Sequence, residues 1–79
     1  MTLEGKKLAV GAKVAKKALD AGRAEMLYLA CDASESVVGP LRSSALEKDV
    51  PVVEDSIMRE LGRAAGIAIG AGAVTVLKD

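Results

Sequence analysis

A glycine feeds a short run that carries three lysines, Gly11-Ala12-Lys13-Val14-Ala15-Lys16-Lys17-Ala18-Leu19, in a 79-residue chain of zero net charge. Lys13, Lys16 and Lys17 stand three and four residues apart, so a helix places them on one side. The first turn of that helix also offers unpaired N–H groups and the positive end of the macrodipole. Lysines beside free N–H groups suit an anion, phosphate above all. Residues 1 to 23 hold six cations (Lys6, Lys7, Lys13, Lys16, Lys17, Arg23) against Glu4 and Asp20, a balance of +4 that leaves −4 for residues 24 to 79. The neutral total therefore hides a dipole, and an anionic partner is one reading of it. The plainer reading is a solvated face of an amphipathic helix.

Other chemistry finds fewer residues to work with. The chain has no histidine and a single cysteine, which removes a Cys/His dyad and makes a zinc site a poor fit; no cofactor is expected. Asp32 closes an apolar run, a place where α/β enzymes often keep a catalytic group, yet Asp is also a common turn and capping residue. Asp49, Glu54 and Asp55 spread over a turn and read as solvated surface. Gly11 lacks a second glycine two residues on, and no Gly-Lys-Ser/Thr follows a glycine-rich loop, so nucleotide binding is not indicated. Cys31 ends an apolar run and reads as a small core residue, and Tyr28 alone makes no stacking platform. The segment from Gly66 to Gly72 is different: it sets Ile67 and Ile69 where a loop is normally polar, either as a tight turn into an edge strand or as a contact surface.

These residues need a scaffold, and the spacing supplies one. Leu8 to Val10 reads as a short strand, and a helix follows from about Ala12 to Ala21 with Ala12, Ala15, Ala18 and Leu19 on its apolar stripe, stopped by Gly22. Glu25 to Cys31 is a continuous apolar run of strand length, as expected at the centre of a sheet covered on both faces. Ser36 to Lys48 has helical spacing, with Gly39-Pro40 expected to delay or kink its first turn. Val50 to Val53 reads as an edge strand because Pro51 lacks a donor. Ile57, Met58, Leu61, Ala64 and Ala65 mark a second amphipathic helix, capped by Asp55 or Ser56 and closed by Gly66, and Ala73 to Leu77 is the last strand. Strands alternating with helices give a single α/β domain, residues 1 to 79, with helices on both sides of a small four-stranded sheet. Ala64 to Leu77 is too short and too rich in glycine to span a bilayer. With one cysteine and no charged-then-apolar leader, a cytoplasmic protein is expected.

Several blocks together resemble a known family. Gly11-x-Lys13 into Lys17-Ala18-Leu19-x-x-Gly22, then Tyr28-Leu29-Ala30-x-Asp32-Ala33, Val50-Pro51-Val52, Leu61-Gly62-Arg63-Ala64-Ala65-Gly66-Ile67 and Gly70-Ala71 look like the kink-turn RNA-binding family of large-subunit ribosomal proteins. The archaeal L7Ae and eukaryotic L30e proteins belong to it, with short bacterial homologues. The resemblance runs from Leu8 to Leu77. It implies a three-layer α-β-α sandwich with a mixed sheet, no enzymatic activity, and a kink-turn RNA as partner: a bulge flanked by sheared G·A pairs, in ribosomal or regulatory RNA. It further implies a monomer and two contact surfaces. One is the start of the lysine helix, Gly11, Ala12, Lys13, Val14, Lys16 and Lys17; the other is an apolar loop over the bulged nucleotides, Ile67, Ala68, Ile69 and Gly70. Lys13 could donate to a guanine edge, Lys17 could pair with a phosphate, and the isoleucines could pack on splayed bases. Many relatives carry Asn-Glu or Lys-Gln where Lys13-Val14 stand, and short bacterial relatives often have an acidic residue at Ala68. Valine offers no hydrogen bond, so recognition here is expected to lean on RNA shape and phosphates. The alternative is a protein-interaction module of the same fold.

Overall fold

The computed structural model of the protein describes residues 5–78, so Glu4 and its charge lie outside the described residues. Seven elements follow in order: β1 (Leu8–Val10), α1 (Ala12–Asp20), β2 (Ala24–Ala30), α2 (Glu35–Glu47), β3 (Val52–Ser56), α3 (Met58–Ala64) and β4 (Ala73–Leu77). They form an α/β fold with one mixed sheet in the order β1-β4-β2-β3. β4 runs antiparallel to both β1 and β2, whereas β2 and β3 are parallel and joined by the α2 crossover.

β2 shows how the sheet is covered. Leu27 and Leu29 pack with Ala15 and Leu19 of α1 and with Val38, Leu41 and Ala45 of α2. Ala30, with Met26 and Tyr28, packs with Leu61 of α3 and with Val74 and Val76. A strand sends successive side chains to opposite faces, so a nearly unbroken apolar run is what two covered faces require. The three layers expected from the sequence are present. β3 is an edge, as Pro51 indicates; the proline has no N–H to give but its carbonyl accepts the Leu27 N–H at 2.9 Å.

Four local expectations are corrected. The last strand is interior, and Ala73, Val74, Thr75 and Val76 are all buried; the Gly66–Gly72 turn leads to the middle of the sheet, since β4 alone pairs with both β1 and β2. Helix α2 begins at Glu35, before Gly39-Pro40, so the pair does not delay its start. β3 continues through Ser56, so neither Asp55 nor Ser56 caps α3, and Ile57 takes the N-cap position. β2 ends at Ala30, and Cys31 is the first residue of the turn and exposed, not a core residue.

All three helices end on the same backbone pattern. The residue after the cap has positive φ and two reverse hydrogen bonds close the last turn, Gly22 to Leu19 and Arg23 to Ala18, Asp49 to Leu46 and Val50 to Ala45, Gly66 to Arg63 and Ile67 to Gly62. These are Schellman endings, which satisfy carbonyls that would otherwise lack partners. Among the described residues one buried side-chain polar atom lacks a partner: Thr75 Oγ1, on a residue with no exposed surface, flanked in the sheet by Ala9 and Leu27.

Candidate nucleic-acid interface

β1 and β2 point the same way and β4 points against them, so the end of β1, the end of β2 and the start of β4 share one end of the sheet. Here α1 begins. Gly11 is its N-cap with φ 110° and ψ 156°, a conformation that side chains resist. The Gly11 N–H donates to the Ala73 carbonyl at 2.9 Å, and the Ala30 N–H donates to the Gly72 carbonyl at 2.9 Å. The first bond ties the start of the lysine helix to the first residue of β4, and the second ties the end of the 66–72 loop to the end of β2. The first turn of α1 has no side-chain cap and no acidic residue, so its N–H groups and positive dipole end are open to an anion.

The three lysines divide. Lys16 turns back on the fold, with Nζ donating to Asp20 Oδ1 at 3.0 Å and to Ser44 Oγ of α2 at 2.7 Å. Lys13 and Lys17 are exposed and form no ion pair among the described residues. With Val14, which is 46% exposed, they line an open hollow on the surface of α1. Gly11 and Ala12 are half-buried beneath them.

The loop divides too. Ile69 is 74% exposed, and Ala68 and Gly70 are exposed beside it. Ile67 is half-buried and packs on the cluster of Leu61, Val74 and Val76, so the expected pair of outward isoleucines is one. The loop lies directly on α3: the Ala71 N–H donates to the Met58 carbonyl at 3.0 Å, and a Cβ on Gly62 would run into the Ile69 carbonyl. Gly62 is therefore present because backbone must touch backbone there. Asp32 braces the same end by accepting the Met58 N–H on Oδ1 at 2.7 Å. It caps α3, one of the two roles open to it in the sequence.

One surface was missed. A shallow groove between α1 and α2 is lined by Ala12, Lys13, Lys16, Ser36, Val37, Pro40 and Leu41. The signal was in the doublet Val37-Val38: Val38, Leu41 and Ala45 carry the buried spacing of α2, which leaves Val37 outside. Away from this end, Arg42 of α2 donates to both oxygens of Glu54, at 2.9 and 2.6 Å, and to Glu35 Oε1 at 2.6 Å. The guanidinium hydrogen bonds hold the Glu54 carboxyl below its ordinary pKa, and the two carboxylates raise that of Arg42. The described residues contain no cluster of three or more metal-ligating side chains and no helix long and apolar enough to cross a membrane.

Known proteins share this architecture. The model of the ribosomal protein L7Ae/L30e/S12e/Gadd45 family matches residues 1–79. An RNA-binding protein of Geobacillus sp. (strain WCH70) is 36% identical over 76 residues, covering 96% of this chain and 93% of its own. The large ribosomal subunit protein eL8 of Halobacterium salinarum is 37% identical over 68 residues, 85% of this chain and 57% of that longer protein. Among solved structures, the Giardia lamblia 15.5kD RNA-binding protein superposes with a TM-score of 0.85 at 29% identity, over 91% of this chain and 61% of that one. With its α-β-α layers and the match over its full length, this chain is a member of the ribosomal protein L7Ae/L30e/S12e/Gadd45 family.

Proposed function

We propose that this protein is a non-enzymatic RNA-binding protein that grips a kink-turn in ribosomal or regulatory RNA, as a monomer in the cytoplasm. The observation that carries the reading is the Gly11 to Ala73 hydrogen bond, which ties a cationic helix start and an exposed apolar loop to one rigid corner. A sharply bent RNA offers both partners at once, crowded phosphates and unstacked bases. Lys13, Lys17 and the first N–H groups of α1 take the backbone, Val14 adds shape without base readout, and Ile69 with Ala68 and Gly70 covers the splayed bases. Ile67 packs on Leu61, Val74 and Val76, and Lys16 ties α1 to α2 through Ser44. The relatives that are named RNA-binding proteins favour the same partner class.

The test is a titration of the protein against a kink-turn RNA and an unbent duplex of equal length at two salt concentrations. Preference for the bent RNA is expected, with a steep loss of affinity as salt rises; equal binding to both would overturn the kink-turn reading. Because a 74% exposed Ile69 also suits a protein partner, gel filtration with and without the RNA separates that second reading.

A further inference from the structure

We propose a second RNA-contacting surface at the opposite end of the sheet, where Lys6, Lys7, Arg23 and Lys78 form a cationic track that follows one helical arm of the RNA away from the bend. The inference rests on the RNA-binding reading above and extends it along α1. Backbone pairing brings the four residues together: the Leu77 N–H donates to the Lys7 carbonyl and the Lys78 N–H to the Arg23 carbonyl, both at 2.8 Å. All four side chains belong to exposed residues, and among the described residues none forms an ion pair. Among the described residues one carboxylate, Glu25, lines the hollow beside Lys6 and Lys7, while Asp20 is committed to Lys16.

Neighbouring hollows share lining residues from one end of α1 to the other. The hollow beside Lys13 shares Val14 and Lys17 with a groove that runs along α1 to Arg23 and Leu77, and Leu77 is shared in turn with the hollow of Lys6 and Lys7. The nine residues of α1 rise about 13 Å at 1.5 Å each. With roughly 3 Å of axis per nucleotide of a strand in a double helix, that length takes about four to five nucleotides. A single bound phosphate would need only one end of this path. A backbone that enters at the start of α1 and continues along the groove would use the whole of it.

Three kink-turn RNAs, one with short arms and two in which one or the other arm is lengthened, provide the test. Wild-type protein should bind one of the long-armed RNAs more tightly than the short one, with a salt slope steeper by about three, so that the advantage shrinks roughly sixtyfold between 50 and 200 mM salt. The fourfold variant Lys6→Ala, Lys7→Ala, Arg23→Ala, Lys78→Ala should lose that increment and keep wild-type affinity for the short-armed RNA. Replacing the same four residues by Arg or Lys, with charge retained, should restore it. No gain from either longer arm, or a gain that survives in the fourfold variant, overturns the track and leaves the patch to an acidic protein partner. If the wild type binds no bent RNA at all, the primary reading fails instead. The track is then judged on plain duplex, where a salt slope unchanged by the fourfold substitution overturns it.

Discussion

The start of α1 and the 66–72 loop sit side by side on one end of the sheet and are built on opposite principles. The α1 surface is made by side chains: Lys13, Val14 and Lys17 project from a helix whose buried residues, Ala15, Ala18 and Leu19, fix it regardless of what the exposed face carries. The loop is made by backbone: it rests on Gly62, hangs on the Met58 and Ala73 ends of its neighbours, and offers one large side chain, Ile69. Changes on the first should therefore alter binding and spare the fold, whereas changes under the second should damage the fold and binding together.

Gly62→Ala is the largest expected effect. Its Cβ has no space against the Ile69 carbonyl, so stability should fall by about 3 kcal/mol, read as a lower melting temperature with weaker RNA binding. A thermally neutral Gly62→Ala would break the contrast at its base. Asp32→Ala should cost about 1 kcal/mol by leaving the Met58 N–H uncapped across the turn, and urea unfolding at fixed pH measures it. Lys13→Ala with Lys17→Ala should leave stability within about 0.5 kcal/mol and lower the salt slope of RNA binding by about two; an unchanged slope would take the lysines out of the site. Ile69→Asp should remove the preference for bent over straight RNA with little change in melting temperature, and a preserved preference would remove the loop.

The smallest effect lies away from both regions. Arg42 lowers the folded-state pKa of Glu54 beneath its unfolded value, so the stabilisation is present above the unfolded pKa and is lost as pH falls through the folded one. Glu54 is partly exposed, so solvent screens the pair and the contribution is modest. Glu54→Gln should flatten the acid limb of the stability curve and leave RNA binding at neutral pH unchanged.

How far the sequence carried differs between the same two regions. Gly11, the 3.6-residue spacing of Ala12, Ala15, Ala18 and Leu19, and the exposed Lys13 and Lys17 follow from local periodicity, and α1 lies within a residue of where that periodicity puts it. The tie from Lys16 to Ser44 crosses 28 residues, and no local pattern encodes it. In the loop, Ile67 and Ile69 look alike in sequence, yet the Schellman ending of α3 turns one toward the core and leaves the other in solvent. Gly62 was visible only as part of a motif, because its contact with Ile69 depends on how the loop returns over the helix. Cys31 shows the cost of a boundary misplaced by one residue: the strand ends at Ala30 and the thiol moves from core to surface. The same limit hid the place of β4, since strand order is settled by pairing between distant segments.

That β4 lies at the centre has a consequence for how the molecule comes into being. β1 pairs with no other strand, and β2 has β4 on one side and only the edge strand β3 on the other. β2, α2 and β3 can make their parallel pair without β4, whereas β1 has no strand to pair with until β4 lies between it and β2. Gly11 gains its hydrogen bond at that same moment, and the cationic helix start meets the loop. Placing β4 thus completes the sheet and creates the corner in the same step.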